Sequence, residues 1–132
     1  MVKQAAATFQ IKTWDEKPYD EIAGGTKLTR ATVTRSFHGD IEGEGSVEYL
    51  MFYRQDGTAN FVGLERIVGR LADRAGSFVL EHTGAYTGGV SRIAVTVVPG
   101  SGTGDLRGLK GKGSSAPGHE TDYSLTLDYN FE

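Results

Sequence analysis

Residues 46–68 read SVEYLMFYRQDGTANFVGLERIV, and this stretch decides the fold. Its first half alternates in polarity, which is the two-residue period of a β-strand. One face of that strand carries large apolar and aromatic side chains: Val47, Tyr49, Met51 and Tyr53. The dipeptide Asp56-Gly57 tolerates the positive φ angles of a tight hairpin turn, and residues 61–68 then form a returning strand. The stretch therefore predicts an antiparallel β-hairpin.

The same alternation of short strands and polar turns continues on both sides of this hairpin. Further strands are predicted at 7–12, 28–37, 77–86, 90–98 and 123–131, with a second hairpin turn at Gly88-Gly89. The interval from Trp14 to Gly25 reads as a loop, because it holds two aspartates, a proline and two adjacent glycines. A candidate helix from Leu64 to Ala75 is weak, because Gly69 and β-branched residues interrupt it. About eight strands with short connections predict an all-β fold, a single closed antiparallel barrel.

Composition limits the classes of function. The chain has 132 residues, which suits one domain over residues 1–132. Its net charge of −3 disfavours nucleic acid and anionic membrane as partners, since both bind basic surfaces. No apolar run reaches the roughly 20 residues that span a bilayer. The sequence has no cysteine, which excludes disulfides and thiolate chemistry and fits a cytoplasmic location.

No motif in the sequence predicts a cofactor or a metal. The glycine-rich stretch from Gly100 to Gly108 lacks the spacing of a phosphate-binding loop. Glycines there suit a tight turn and a bent strand instead. His38, His82 and His119 are far apart in the chain and do not show metal-ligand spacing. We therefore expect neither a cofactor nor a metal site.

Two polar residues on otherwise apolar strands are candidate catalytic groups. The more apolar face of strand 77–86 should point inward, and that face carries His82. Both faces of residues 61–68 are largely apolar, which leaves the inward face open, although Gly63 favours the face that also carries Glu65. A buried carboxylate without a partner has a raised pKa and can exchange protons near neutral pH. Glu65 and His82 would then form an acid–base pair.

Other side chains on these strands are candidate contacts for a ligand in the interior. They are Trp14, Glu48, Tyr49, Tyr53, Phe61, Phe78 and Leu80. Tyrosines there could line a cavity and donate hydrogen bonds. Alternatives remain open: Glu48 and Glu65 could form cross-strand ion pairs on the outside. His82 could be a structural residue, and Trp14 could pack at the rim.

The face opposite Glu65 suggests contact between subunits. It would present Val62, Leu64 and Val68 to solvent. An apolar patch of that size is rarely left exposed. We therefore expect a homo-oligomer.

Two parts of the sequence resemble known families. Residues 100–113, GSGTGDLRGLKGKG, resemble the glycine-rich turn and following strand of allene oxide cyclases and plant dirigent proteins. A wider set of segments covers nearly the whole chain: 14–16, 41–45, 48–50, 61–65, 76–82 and 127–131. Together these segments resemble a bacterial family of unknown function, number thirty-two twenty-four, with an allene-oxide-cyclase-like (calycin-like) barrel.

The resemblance implies a barrel of about eight strands but no particular reaction. Better-known relatives of that fold guide the cyclisation or coupling of reactive intermediates in an apolar cavity, without a cofactor. Such an analogy concerns the fold and not the site. We therefore expect a small-molecule-binding barrel, which would be a cofactor-independent isomerase or cyclase acting on an apolar or aromatic substrate. The alternative is a non-catalytic module for ligand binding or oligomerisation.

Overall fold

The computed structural model of the chain describes residues 2–117 and 123–132, and these residues form an all-β fold, as predicted. They contain nine strands: β1 (Lys3–Ile22), β2 (Thr26–Gly39), β3 (Ile41–Tyr53), β4 (Ala59–Leu71), β5 (Arg74–Thr87), β6 (Val90–Val97), β7 (Thr103–Gly104), β8 (Leu109–Pro117) and β9 (Tyr123–Phe131). His119, one of the histidines considered as a metal ligand, lies outside the described residues.

All nine strands belong to one antiparallel sheet, and their pairings form a ring. The order is β4-β3-β2-β1-β9-β8-β6-β5, and β5 also pairs with β4 along the full length of β4. The two-residue strand β7 pairs with the start of β5. Buried and exposed side chains alternate along β3 and β4. One face of each of these strands therefore lines the interior of the ring.

Both predicted hairpin turns are confirmed. The pair Tyr53↔Ala59 closes the turn that contains Asp56-Gly57, and Gly57 has a φ of 87°. The pair Thr87↔Val90 closes the turn at Gly88-Gly89, where φ is 59° and 79°. Two successive positive φ angles give a turn whose twist matches that of the flanking strands.

The interval from Trp14 to Gly25 was predicted as a loop, and this prediction is wrong. Strand β1 continues to Ile22 and stays paired with β2 as far as Ile22↔Thr26. Two register shifts, one after Ile11 and one after Pro18, interrupt this pairing. Such bulges accommodate residues that do not fit a regular ladder. Only residues 23–25 form the turn between the strands.

The candidate helix from Leu64 to Ala75 does not form. Strand β4 runs to Leu71, a tight turn follows at residues 72 and 73, and β5 begins at Arg74. The side chains of β4 alternate between the interior and the solvent. Pairing within a half-buried sheet therefore decides the local structure.

The prediction for residues 61–68 is also settled. Phe61, Glu65 and Ile67 are buried, whereas Val62 and Leu64 are about half exposed. The face that carries Gly63 is therefore the inward one, as the sequence favoured. Glu65 lies between two apolar clusters of the core, a larger one that includes Phe9, Phe37 and Leu80 and a smaller one that includes Tyr49 and Phe61.

Candidate functional site

Four neighbouring strands each place one polar side chain inside the ring. These side chains are Arg35 on β2, Tyr49 on β3, Glu65 on β4 and His82 on β5, and we call them the polar network. All four are buried, with exposures of 3%, 4%, 0% and 0%. The register brings them together, because Gly63 of β4 pairs with Tyr49 on one side and with His82 on the other.

Two inward-facing glycines provide space for this network. A Cβ atom at Gly45 would collide with the Glu65 carboxylate and with the Phe37 ring. A Cβ atom at Gly63 would lie 2.6 Å from Cδ1 of Tyr49. Glycine within a strand often marks such a close approach. Any larger residue at position 45 or 63 would therefore displace a side chain of the network or the Phe37 ring.

Glu65 accepts hydrogen bonds from two partners. Arg35 Nε donates to Oε2 at 2.8 Å and Arg35 Nη2 donates to Oε1, so the pair is bidentate. His82 Nε2 lies 3.0 Å from the same Oε1, and His82 Nδ1 lies 3.1 Å from the Tyr49 hydroxyl. When the imidazole proton is on Nε2, it is donated to Glu65 and Nδ1 accepts from Tyr49.

Arg35 and Glu65 stabilise each other's charge. Burial by itself would raise the pKa of Glu65, but the charge of Arg35 and hydrogen bonds from His82 and Arg35 lower it below the ordinary value. Burial by itself would lower the pKa of Arg35, and the charge of Glu65 raises it. Burial raises the pKa of Tyr49 to about 12. The pair is therefore ionised, and the Tyr49 phenol stays protonated at neutral pH.

The lowered pKa changes the chemistry expected of Glu65. The sequence argument for proton exchange required a buried carboxylate without a partner. Arg35 supplies that partner, and the ion pair holds Glu65 as a carboxylate. Glu65 is therefore suited to orienting His82, to which it is hydrogen-bonded.

A cavity of about 470 Å³ lies beside the polar network. Arg35 and Tyr49 contribute to its wall, whereas Glu65 and His82 are not among the residues that line it. The wall includes several aromatic side chains: Phe9, Trp14, Tyr53, Phe61, Tyr86 and Tyr123. A largely apolar wall with a few polar groups is typical of sites for small molecules.

A larger and more open depression of about 1130 Å³ includes the exposed Leu50 and Val62. No residue of the polar network lines this depression. Since the smaller cavity is more enclosed and contacts the polar network, it is the better candidate for a specific site.

A second group of polar contacts lies at the cavity. Glu16 on β1 accepts hydrogen bonds from Trp14 Nε1 at 3.0 Å, from Thr29 Oγ1 at 2.7 Å and from the Tyr53 hydroxyl at 2.6 Å. Burial by itself would raise the pKa of Glu16, but these hydrogen bonds and the charge of Lys27 lower it. Burial and the hydrogen bond to Glu16 raise the pKa of Tyr53.

The predicted ligand contacts fall into two groups. Trp14, Tyr49, Tyr53 and Phe61 line the cavity. The other three do not. Phe78 and Leu80 pack in the larger apolar cluster. Glu48 lies on the outer face, where it pairs with Arg30 at 2.6 Å, which is the alternative that the sequence had left open for it.

Sequence reasoning missed Arg35 and Glu16. Arg35 has the same strand parity as Val33 and Phe37, so an arginine on an apolar face was a usable signal. Glu16 was missed because its segment was read as a loop. No pattern in a loop predicts that one carboxylate will contact two neighbouring strands.

Within residues 2–117 and 123–132, no three histidine, cysteine, aspartate or glutamate side chains are grouped so as to hold a metal ion. The same part of the chain contains no helix that is long and apolar enough to cross a membrane.

Comparison with known proteins gives the family. A model of the family described as "Protein of unknown function (DUF3224)" matches residues 5–129. The chain belongs to the DUF3224 family. This confirms the resemblance to the bacterial family that the sequence suggested.

A solved structure from the DUF3224 family is similar over the whole chain. It is the crystal structure, at 1.84 Å resolution, of a protein with unknown function from Shewanella oneidensis MR-1. The two chains are 32% identical, the match covers 100% of this chain and 98% of that one, and the TM-score is 0.87. No curated protein matches. The family therefore establishes kinship but not an activity.

Proposed function

We propose that this DUF3224 protein binds a neutral, apolar or aromatic small molecule in its interior cavity. The cavity of about 470 Å³ is the observation that carries the proposal, since it is lined by aromatic rings and contacts the polar network through Arg35 and Tyr49. The charge of Arg35 is already compensated by Glu65. A ligand therefore needs no charge of its own, and one polar group could reach the network.

The environment-sensitive dye N-phenyl-1-naphthylamine tests this proposal, because it is neutral and consists of aromatic rings. We expect saturable binding at one site per chain. Ser91→Phe places a ring in the cavity wall and should weaken binding by at least about tenfold, which is 1.4 kcal/mol. Ser91 also lines the larger depression, so the matched control is Ser114→Phe, because Ser114 lines that depression and not the cavity. Absence of saturable binding, or equal effects of the two variants, would contradict the proposal.

We also infer that the sheet is an allene-oxide-cyclase-like barrel. The pairing of β4 with β5 supports this inference, because it joins the two ends of the strand order. The eight long strands form the ring, and β7 is an addition of two residues. Closure would remove the unpaired edges that lead to aggregation.

A cofactor-independent isomerase or cyclase is the second candidate. The hydrogen bonds from Tyr49 to His82 and from His82 to Glu65 favour it, because they connect the cavity wall with a buried carboxylate. Tyr49 would contact the substrate, and a proton would move between its hydroxyl and His82 Nδ1. Once a substrate is established, Glu65→Gln should lower its turnover. An unchanged rate across the pH range would exclude this role.

Self-association is a further proposal, separate from the cavity. Leu50, Val62, Leu64 and Val68 are 50%, 51%, 55% and 48% exposed on the outer face. Burying them against a second copy of the chain would remove apolar surface from water. Light scattering coupled to size exclusion should find an oligomer that Leu64→Lys dissociates. A monomer at all concentrations would contradict this proposal.

A further inference from the structure

We propose that Glu16 is a positioning residue, which holds Trp14 and Tyr53 at the mouth of the cavity and so slows the release of a bound molecule. The claim about release rests on the proposed function, since it concerns the same cavity. Glu16 is not among the residues that line the cavity, but both rings are. It therefore acts through its two neighbours.

The exposure of the lining residues shows where the cavity opens. Phe9 and Arg35 are 2% and 3% exposed, so they lie at its inner end. Ile11, Trp14 and Tyr86 are 38%, 47% and 38% exposed, so they lie at the mouth. A ligand that enters or leaves the cavity must pass close to the Trp14 indole.

The two carboxylate oxygens of Glu16 serve different partners. Oε1 accepts from Trp14, whereas Oε2 accepts from Thr29 and Tyr53. One side chain on β1 thereby fixes a ring on its own strand relative to a ring on β3. The Trp14 ring also stacks at 6.3 Å on Tyr49, which links the mouth to the polar network.

A purely structural role for Glu16 would be to fasten the β1–β2 hairpin. The backbone pairing already does this, since it continues past Glu16 as far as Ile22↔Thr26. The backbone ladder does not, however, restrict the rotamer of a half-exposed indole, and ordering such a side chain has an entropic cost. Hydrogen bonding to Glu16 restricts the Trp14 side chain directly.

The contacts require hydrogen-bonding atoms at the end of the side chain, since the Trp14 indole nitrogen can only donate. In Glu16→Gln, the amide oxygen can accept from Trp14 while the amide nitrogen donates to the hydroxyls of Thr29 and Tyr53, so this variant can keep every contact. Glu16→Met is of similar length and has no strong acceptor, so it removes both attachments.

The experiment uses the full chain and two readouts. Trp14 is the single tryptophan of the protein, so its fluorescence anisotropy and its quenching by acrylamide report on this ring without any ligand. The dissociation rate of N-phenyl-1-naphthylamine reports on the mouth. Glu21→Met is the matched control, because Glu21 is an exposed glutamate on the same strand. Urea unfolding verifies that each variant is folded.

We expect Glu16→Met to increase the quenching of Trp14 and to speed release of the dye by roughly three- to tenfold, the range expected for the loss of a hydrogen bond. Glu21→Met should change neither. In a Tyr53→Phe/Trp14→Phe background, which lacks both ring donors, Glu16→Met should have almost no effect on dye release.

Unchanged quenching of Trp14 in folded Glu16→Met would overturn the positioning role. An equal increase in dye release with and without the two ring donors would overturn it as well, because Glu16 would then act by another route. If the unsubstituted protein fails to bind the dye, the proposed function fails, and the quenching experiment still decides whether Glu16 positions Trp14.

Discussion

Glu65 keeps a negative charge at a position with no exposure to water, and Arg35 is the group that stabilises it. A buried ion pair adds little stability compared with apolar residues of similar volume, but removing one partner is costly. The bidentate contact also fixes the orientation of the carboxylate. Since Glu65 bonds to His82, and His82 to Tyr49, the pair determines where the Tyr49 ring stands in the cavity wall.

Removing one charge of this pair should therefore be worse than removing both. Glu65→Gln leaves Arg35 buried and unpaired, so we expect a loss of about 3–5 kcal/mol in the free energy of unfolding. The double variant Arg35→Met/Glu65→Gln should recover part of that loss, because no charge remains. Urea unfolding at neutral pH measures both values. A double variant less stable than Glu65→Gln would contradict this account of the network.

The same pair predicts how stability depends on pH. The pKa of Glu65 is lower in the folded protein than its ordinary value of 4.5. The stability that this shift contributes is therefore fully present above pH 4.5 and is lost as the pH falls through the lower pKa of the folded state. Urea unfolding measures the free energies of unfolding of the unsubstituted protein and of the double variant. We expect these two free energies to converge as the pH is lowered below 4.5. A constant difference between them would mean that Glu65 does not titrate in this way.

At the level of elements, the sequence predicted only the first half of β1 as a strand. Its second half contains Asp15, Pro18 and Asp20, which are residues typical of turns. Within the described residues, β1 pairs with β9 from Lys3 to Phe9, whereas its pairing with β2 continues past Pro18 to Ile22. Proline is compatible with a strand that is paired on one side only. A local pattern cannot show this, because the tolerance comes from the position of the strand in the sheet.

The β4–β5 turn offers a test of backbone strain. Ala72 has a φ of 55°, which is the left-handed region that favours glycine. Ala72→Gly should therefore raise the free energy of unfolding by about 1 kcal/mol. Ala75→Gly, on the following strand and without a positive φ, should lower it. Urea midpoints compare the two variants, and a destabilised Ala72→Gly would show that the turn is not strained.

For the whole molecule, the period of the strands and the two hairpin turns were sufficient to predict the all-β fold. The inward position of His82 followed from the same alternation, whereas that of Glu65 was favoured only by Gly63, because both faces of its strand are largely apolar. The contact between Arg35 and Glu65 could not be predicted, because it joins β2 to β4 across the intervening β3 and depends on the register of three strands. The cavity likewise depends on how side chains from eight strands pack, which no local pattern contains.

The central claim is that the interior cavity, and not the outer depression, binds an apolar ring. A crystal of the protein soaked with 1-bromonaphthalene tests it directly, because the anomalous scattering of bromine locates the ligand. We predict a bromine peak inside the ring of strands, among Trp14, Tyr49 and Tyr53. A peak confined to the outer depression at Leu50 and Val62, or an interior without any bromine, would contradict the account.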